Sequence, residues 1–533
     1  MTTPCGFEIV RGQAIPELNC HATLYRHVRT GAELLAVTND DENKAFGVAF
    51  RTLPPDDTGV PHILEHAVLG GSRKYPVKEP FVQLLKSSLA TFINAMTFPD
   101  KTVYPVASQN LQDLYNLVDV YLDAVFDPLL LEETFQQEGW HHELDGPQAA
   151  LAYRGVVFNE MKGAMARPEA VQAREAERVL FPDNAYGRAS GGLPERIPDL
   201  TYEQFVAFYR TYYHPSNARF FLYGDLPVDE MLCRIDARLA GFERAEVPAG
   251  IALQAAPASA ARVTAPYVAG ALAATSPADR PRAYVTVSWV MGPQDDPVEV
   301  MSADILSYIL TGSRASPLRK ALVESGLGED VTAVHLSGLR QIGFSSGLKG
   351  VTPENAARVE PLILETLEAL ARDGIDPDMV SAAMNTLEFG LRENDAFGGQ
   401  RGISLMLFAL ATWLHDGDPF SLLAFEAPLA AVKANLAADP RYFEAMVRRC
   451  LLDNPHRVTV TLLPDPDLRS RQDAEERGRL ERTRAALSDA EVAALVEQTA
   501  AFKAKQQQAD SPEALATLPV LRRSDLERTI RTI

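Results

Sequence analysis

Gly59-Val60-Pro61-His62-Ile63-Leu64-Glu65-His66 places two histidines four residues apart, with a carboxylate directly before the second. On a helix, residues i and i+4 share one face. Two imidazoles so placed can take adjacent corners of a tetrahedral metal, a geometry in which zinc accepts nitrogen and carboxylate ligands. Glu65 borders the same face, where it could act on a water at the metal. This H-x-x-E-H order inverts the commoner H-E-x-x-H zinc motif and points to a metallopeptidase.

The flanking residues place the motif on a helix that opens after a strand. Ala45-Phe46-Gly47-Val48-Ala49-Phe50 reads as a buried strand, and Asp56-Asp57-Thr58-Gly59 supplies turn and capping chemistry. Pro61 stands in the first helical turn, where proline is tolerated. A catalytic zinc site needs a third protein ligand and keeps its fourth position open. The candidate is Glu160 in Tyr153-Arg154-Gly155-Val156-Val157-Phe158-Asn159-Glu160-Met161-Lys162-Gly163, a mostly apolar segment with helical spacing. Alone, Glu160 reads as a solvated helix glutamate. Beside the first motif it reads as the third ligand.

The chain resembles the pitrilysin-type inverted zinc metallopeptidases (peptidase family M16), and within them the presequence protease branch (subfamily C). The matching residues run through the zinc motif, Gly71-Ser72-Arg73-Lys74-Tyr75-Pro76, Lys78-Glu79-Pro80-Phe81, Phe92-Ile93-Asn94-Ala95 and Tyr104-Pro105-Val106-Ala107-Ser108. They continue through Tyr115-Asn116-Leu117-Val118-Asp119-Val120-Tyr121, Gln137-Glu138-Gly139-Trp140 and the segment around Glu160. The resemblance implies His62, His66 and Glu160 as ligands of one Zn2+ per chain, and Glu65 as general base. It implies Asn94-Ala95 as a pair on an exposed strand that holds substrate backbone, which fits recognition by strand addition. Leu69, Phe81 and Leu85 fall where the family lines an apolar side-chain pocket, with plain core packing as the equal alternative.

Composition sets outer bounds. With 533 residues, 46% hydrophobic and 23% charged, the chain is that of an ordinary folded protein of several domains. Its net charge of −20 argues against nucleic acid as a partner. It also suits basic peptides. No signal peptide or membrane-spanning run is visible, so a cytoplasmic location without membrane association is expected. Cys5, Cys20, Cys233 and Cys450 are scattered without a C-x-x-C pair, so no disulfide is expected and a reducing compartment fits.

The expected fold class is α+β, with two homologous α/β-roll metallopeptidase-type domains and a helical hairpin. Residues 1–258 form the catalytic domain, 259–464 a degenerate non-catalytic repeat, and 465–533 the hairpin. An Ala- and Pro-rich stretch, 246 to 281, reads as a linker with one strand. The repeat is legible where Val285-Thr286-Val287-Ser288-Trp289 leads through Asp295-Asp296-Pro297 into an apolar helix ending at Gly312-Ser313. Aligned on the terminal Gly-Ser pairs, Ala303, Leu306 and Ser307 stand opposite His62, Glu65 and His66, and none can bind zinc. Strand-turn-helix units with Asp turns are common, so coincidence is the alternative. From about 470 the sequence turns charged and helical. Ser488 with Glu491 then forms a capping box, and Leu487 with Val492 a hydrophobic staple.

In the resembling family a second half of similar size follows, closes a chamber and brings an arginine and a tyrosine to the substrate. Here the chain reaches Ile533 soon after the hairpin, which leaves fragment, truncated product and split enzyme open. The reading is a zinc-dependent endopeptidase that hydrolyses short unstructured, presequence-like peptides in a closed chamber. The alternative is an inactive or incomplete zinc-containing peptide-binding subunit that needs a second half or partner chain.

Overall fold

A computed structural model describes residues 5–269, 282–336, 338–393, 400–526 and 528. Two sheets organise the fold. The first contains β1 (Phe7–Ile15), β2 (Cys20–His27), β3 (Glu33–Thr38), β4 (Lys44–Arg51), β5 (Ala90–Ile93), β6 (Met96–Thr97), β7 (Lys101–Ser108) and β10 (Ala218–Gly224), in the order β1-β2-β3-β10-β4-β7-β5 with β6 also on β7. A small hairpin, β8 (His141–Glu143) with β9 (Ala152–Arg154), stands apart. The second sheet contains β11 (Ala261–Val268), β12 (Ala283–Pro293), β13 (Asp330–Leu336), β14 (Gln341–Val351) and β15 (Arg457–Asp465), in the order β11-β15-β12-β14-β13.

The two sheets share one topology. Taken in chain order, β3, β4, β5, β7 and β10 occupy the same sheet positions as β11 through β15. In each, the first and last of the five pair in parallel, and the other ladders are antiparallel.

Helices of the first unit are α1 (Val60–Val68), α2 (Pro80–Ser87), α3 (Leu111–Phe126), α4 (Glu132–Glu138), α5 (Val156–Ala164), α6 (Pro168–Leu180), α7 (Tyr202–Tyr212) and α8 (Val228–Leu239). In the second unit α9 (Pro297–Ser307) follows β12 as α1 follows β4. The apolar run of β4 is continuous because both sheet faces are covered. Phe46, Val48 and Phe50 join a core with α1 and α3. Ala45 and Ala49 face the opposite way, toward Ile403, Met406 and Leu410 of the helix Arg401–Trp413.

That helix belongs to the second unit, and the exchange is mutual. α6 of the first unit contributes Ala176 and Leu180 to a core with Val458, Val460 and Leu462 of β15. A buried polar seam links the units as well. Asp100 is fully buried, pairs with Lys101 Nζ at 2.9 Å and His415 Nε2 at 3.3 Å, and accepts from Tyr186 Oη at 2.7 Å. Tyr186 Oη in turn accepts from the Arg340 amide.

Of the 246 to 281 stretch, β11 is its one described strand, and 270–281 lies outside the described residues. The hairpin helices are Leu468–Ala486 and Asp489–Gln507, with the capping box formed by Ser488 and Glu491. The stapling residues Leu487 and Val492 pack into the first unit's core. Residues 527 and 529–533 at the end of that region lie outside the described residues.

The expectation of no disulfide is corrected: Cys5 and Cys233 are bonded across a sequence separation of 228. Cys5 lies just before the edge strand β1 and Cys233 in α8, and a 2.9 Å contact between His27, at the end of the neighbouring β2, and Asp236 of α8 joins the same region. Sequence spacing carries no record of that proximity. Cys20 and Cys450 are free thiols.

Candidate metal centre and active site

α1 is held rigidly by its apolar side. Ile63, Leu64, Ala67 and Val68 are at most 1% exposed. That leaves His62 and His66 together on the other side, with ring centroids 5.0 Å apart. Asp56 Oδ1 receives the Thr58 amide and hydroxyl, which forms the turn before the helix. The N-cap itself is Gly59, with φ 72° and no side-chain cap. A Cβ there would stand 2.7 Å from the Gly191 carbonyl oxygen and from Gly192 Cα, so a residue without a side chain is needed.

Each histidine is oriented by its outer nitrogen. His62 Nδ1 lies 3.3 Å from the Gly191 carbonyl, and His66 Nδ1 lies 3.2 Å from Glu138 Oε2. The carbonyl only accepts, so His62 Nδ1 carries the proton there. Both Nε2 atoms therefore face inward as acceptors, the arrangement that outer partners impose on metal-ligating histidines. Glu160 completes the set: Oε1 is 3.8 Å from His62 Nε2 and Oε2 is 3.9 Å from His66 Nε2.

Glu160 projects from α5, whose start is tied to the end of α4. A Cβ on Gly155 would lie 2.0 Å from the Gly139 carbonyl oxygen. This close backbone approach sets the helix bearing Glu160 beside Glu138. Taken alone, Glu160 reads as a solvated helix glutamate, and its side chain is 53% exposed. The apolar neighbours Val157 and Phe158 point inward and leave the carboxylate on the open side.

The residues fit a zinc ion. One ligand atom from each of His62, His66 and Glu160 lies within 4.8 Å of the others, the one such cluster among the described residues. Tetrahedral ligands at zinc bond lengths stand about 3.3 Å apart, so side-chain adjustment alone brings these atoms to bonding distance. Two imidazoles and one carboxylate are a donor set of catalytic zinc sites, with one position left open. Burial works to lower the His66 pKa, but the Glu138 hydrogen bond and the charges of Glu65, Glu138 and Glu160 outweigh it and raise it. Metal must displace that proton, so affinity falls in acid.

Glu65 is 8% exposed on the same helix. Its charge contributes to raising the pKa of the buried Tyr104 and Tyr121, behind the burial that dominates both shifts.

Asn94 and Ala95 occupy the two-residue break between β5 and β6, rather than a continuous strand. The β5 ladder on β7 shifts register between Ala90 and Phe92 and then pairs through Ile93, and the Asn94 amide still donates to the Pro105 carbonyl at 3.3 Å. They remain at the outer edge of the sheet, with the Asn94 carbonyl accepting from Tyr121 Oη at 3.2 Å. Gln400 Nε2 donates to the neighbouring Thr91 carbonyl. Leu69 and Phe81 are half-buried against the core, whereas Leu85 is 54% exposed.

Sequence reasoning missed two partners. Glu138 was visible only as part of a matching motif, and Gly191 acts through a carbonyl, which no side-chain pattern encodes. The Gly191-Gly192 pair was the one signal of a close approach.

Three family profiles match in succession: insulinase (peptidase family M16) over 51–173, the peptidase M16 inactive domain over 199–387, and the profile associated with subfamily C of M16 over 462–533. Presequence protease 1, chloroplastic/mitochondrial, of Arabidopsis thaliana is 46% identical over 98% of this chain and 49% of its own length. The mitochondrial presequence protease of Xenopus laevis is 35% identical over 98% of this chain and 51% of its own length. A protease from Helicobacter pylori shares the fold with a TM-score of 0.65 at 15% identity, covering 82% of this chain and 97% of that one. The chain spans about half the length of these curated relatives. With these matches along its length, the chain belongs to peptidase family M16, in the presequence protease branch.

Proposed function

We propose that the chain carries the zinc centre of an endopeptidase acting on short, unstructured, presequence-like peptides within a closed chamber. The observation that carries this reading is the convergence of His62 and His66 of α1 with Glu160 of α5, beside a buried Glu65 on α1. When bound there, zinc supplies Lewis-acid chemistry for peptide hydrolysis. Glu65 takes a proton from the attacking water and returns it to the leaving amine. Glu138 and the Gly191 carbonyl keep the two rings in register. The open edge at β5 and the Asn94-Ala95 break receive an extended substrate backbone by strand addition, which admits unfolded peptides and excludes folded domains. Leu69, Phe81 and Leu85 line the side-chain pocket.

The test is metal analysis with a peptide digestion assay. The wild-type chain should bind one zinc and cleave an unfolded peptide of a few tens of residues in preference to a folded protein. Absence of bound metal, or equal cleavage of both substrates, would overturn the reading.

A second reading, a zinc-containing peptide-binding subunit completed by a further half or partner chain, is supported by the match of residues 199–387 to the peptidase M16 inactive domain. Metal and peptide binding without cleavage, with activity appearing on addition of the relatives' other half, selects it. Partners on either reading are peptides. No helix among the described residues is long and apolar enough to cross a membrane. A cytoplasmic location is proposed from the sequence. Recovery of the protein from cells with Cys5 and Cys233 oxidised would speak against it.

A further inference from the structure

His66 is oriented by a carboxylate, but His62 is oriented by a backbone carbonyl, whose position depends on whatever holds residues 189–193. The structure shows what does so. Asp57 Oδ1 accepts from the Ala189 amide at 2.7 Å, and the Asp57 carbonyl accepts from the Leu193 amide at 2.9 Å. The loop closes on itself between these anchors, the Gly192 amide donating to the Ala189 carbonyl at 2.9 Å. Its tip then lies against Gly59 at the start of α1.

Behind Asp57 stands Arg174 of α6, its side chain 10% exposed, with Nη2 donating to Asp57 Oδ1 at 2.9 Å. Arg174 Nε and Nη1 are buried without a hydrogen-bond partner. A guanidinium taken out of water with one directional partner is costly, so its placement is explained by what Asp57 does.

We propose that Asp57 is a positioning residue for metal ligation. With Arg174 behind it, it clamps residues 189–193 against α1, so that the Gly191 carbonyl holds the His62 ring with Nε2 turned toward His66 and Glu160. This rests on the zinc reading above and deepens it. The clamp enters no chemical step. It acts on metal affinity and ligand field through His62.

The experiment uses the full chain, stripped of metal by chelation. Zn2+ affinity is measured by competition with a chromophoric chelator, and the visible spectrum is recorded with Co2+. The variants are Asp57→Ala, Asp57→Asn, Arg174→Met and His62→Ala. Loss of outer partners of metal-bound histidine weakens affinity by roughly 10- to 100-fold. That loss, with altered Co2+ bands, is expected for Asp57→Ala and Arg174→Met. Asp57→Ala strands a buried guanidinium and lowers the melting temperature of the metal-free protein, whereas Arg174→Met removes the charge and melts close to wild type. Asp57→Asn keeps an oxygen for the Ala189 amide and should recover most of the affinity.

Wild-type affinity and spectrum in both Asp57→Ala and Arg174→Met would overturn the clamp. So would losses that only track a lowered melting temperature of the metal-free protein. Should either variant fail to fold, Asp57→Leu or Arg174→Gln replaces it, and wild-type affinity and spectrum in the replacement overturn the clamp. Wild-type metal binding in His62→Ala would instead overturn the zinc reading itself.

Discussion

α1 and α9 occupy the same place in sheets of the same topology, yet they begin differently. α9 has an aspartate cap, Asp296, whose side chain accepts from the Val298 amide at 2.8 Å. A cap of this kind stabilises a helix by about 1 kcal/mol. α1 has no such bond; it starts at Gly59 in a left-handed conformation, pressed against the loop whose carbonyl orients His62. The faces differ too. His62 and His66 are 12% and 26% exposed in their side chains, whereas their counterparts Ala303 and Ser307 are 1% and 7% exposed. One helix gives up local stability to hold a half-open ligand face, and the other closes that face with packing. Shared topology therefore positions a helix without deciding whether it does chemistry.

The comparison breaks most directly at Glu65, the position opposite Leu306. Glu65→Gln should retain zinc at one equivalent per chain and lose cleavage by at least about 10²- to 10⁴-fold, the contribution of a positioned acid-base group. Peptide turnover together with metal analysis reads both. Normal cleavage by the variant would mean that α1 differs from α9 only in metal binding.

The seam between the units should give the next largest effect. Burial opposes ionisation of Asp100, but Lys101 and His415 outweigh it and hold the carboxyl well below the usual range. That support is present above the ordinary carboxylate pKa and is lost only as pH falls through the lowered value. Asp100→Asn leaves Lys101 as an uncompensated buried charge, and removal of one partner from such a pair costs about 3–5 kcal/mol. A denaturant midpoint shift equivalent to less than about 1 kcal/mol would mean that the units are joined by their exchanged helices alone.

Glu177, on the first-unit helix that packs against the second sheet, acts in the opposite sense. Burial pushes its carboxyl up to about 7, against the attraction of Arg174. The folded state therefore keeps the proton where the unfolded state has lost it, so stability falls as pH rises from about 4.5 to about 7 and is constant above. The displacement corresponds to at most roughly 3 kcal/mol. Glu177→Gln should raise the melting temperature at pH 8 and leave it unchanged at pH 4, and a gain confined to pH 4 would reverse the assignment.

Much of this was legible in sequence because periodicity and motif spacing are local. β4, α1, the helix that follows Asp295-Asp296 and the Ser488–Glu491 capping box could all be read from adjacent residues. What lay hidden depends on contacts between distant segments. The Cys5–Cys233 bond, the Glu138 partner of His66 and the Asp57–Arg174 contact join residues 228, 72 and 117 apart. The exchange of α6 and the helix Arg401–Trp413 between sheets left no trace beyond ordinary amphipathic spacing. The Asn94-Ala95 break was unreadable for another reason: where the edge leaves β7 after Ile93 and rejoins it at Met96 is set by pairing with that partner strand, not by the edge's own residues.

The smallest effect comes from trying to make α9 into α1. Ala303→His, Leu306→Glu and Ser307→His together write the metal motif onto the second unit. Ala303 packs with Val300 and Ile342, and Leu306 lies in the main core. Larger side chains there overfill a closed face at a cost of about 1–3 kcal/mol, and the new carboxylate would avoid its desolvation cost by keeping a proton. The helix also starts at Asp296 and not, like α1, at a glycine under a carbonyl. The triple variant should therefore melt lower than wild type and still bind one zinc per chain by metal analysis. A second equivalent would show that the motif suffices on this topology, and the neighbours of α1 would lose their explanatory role.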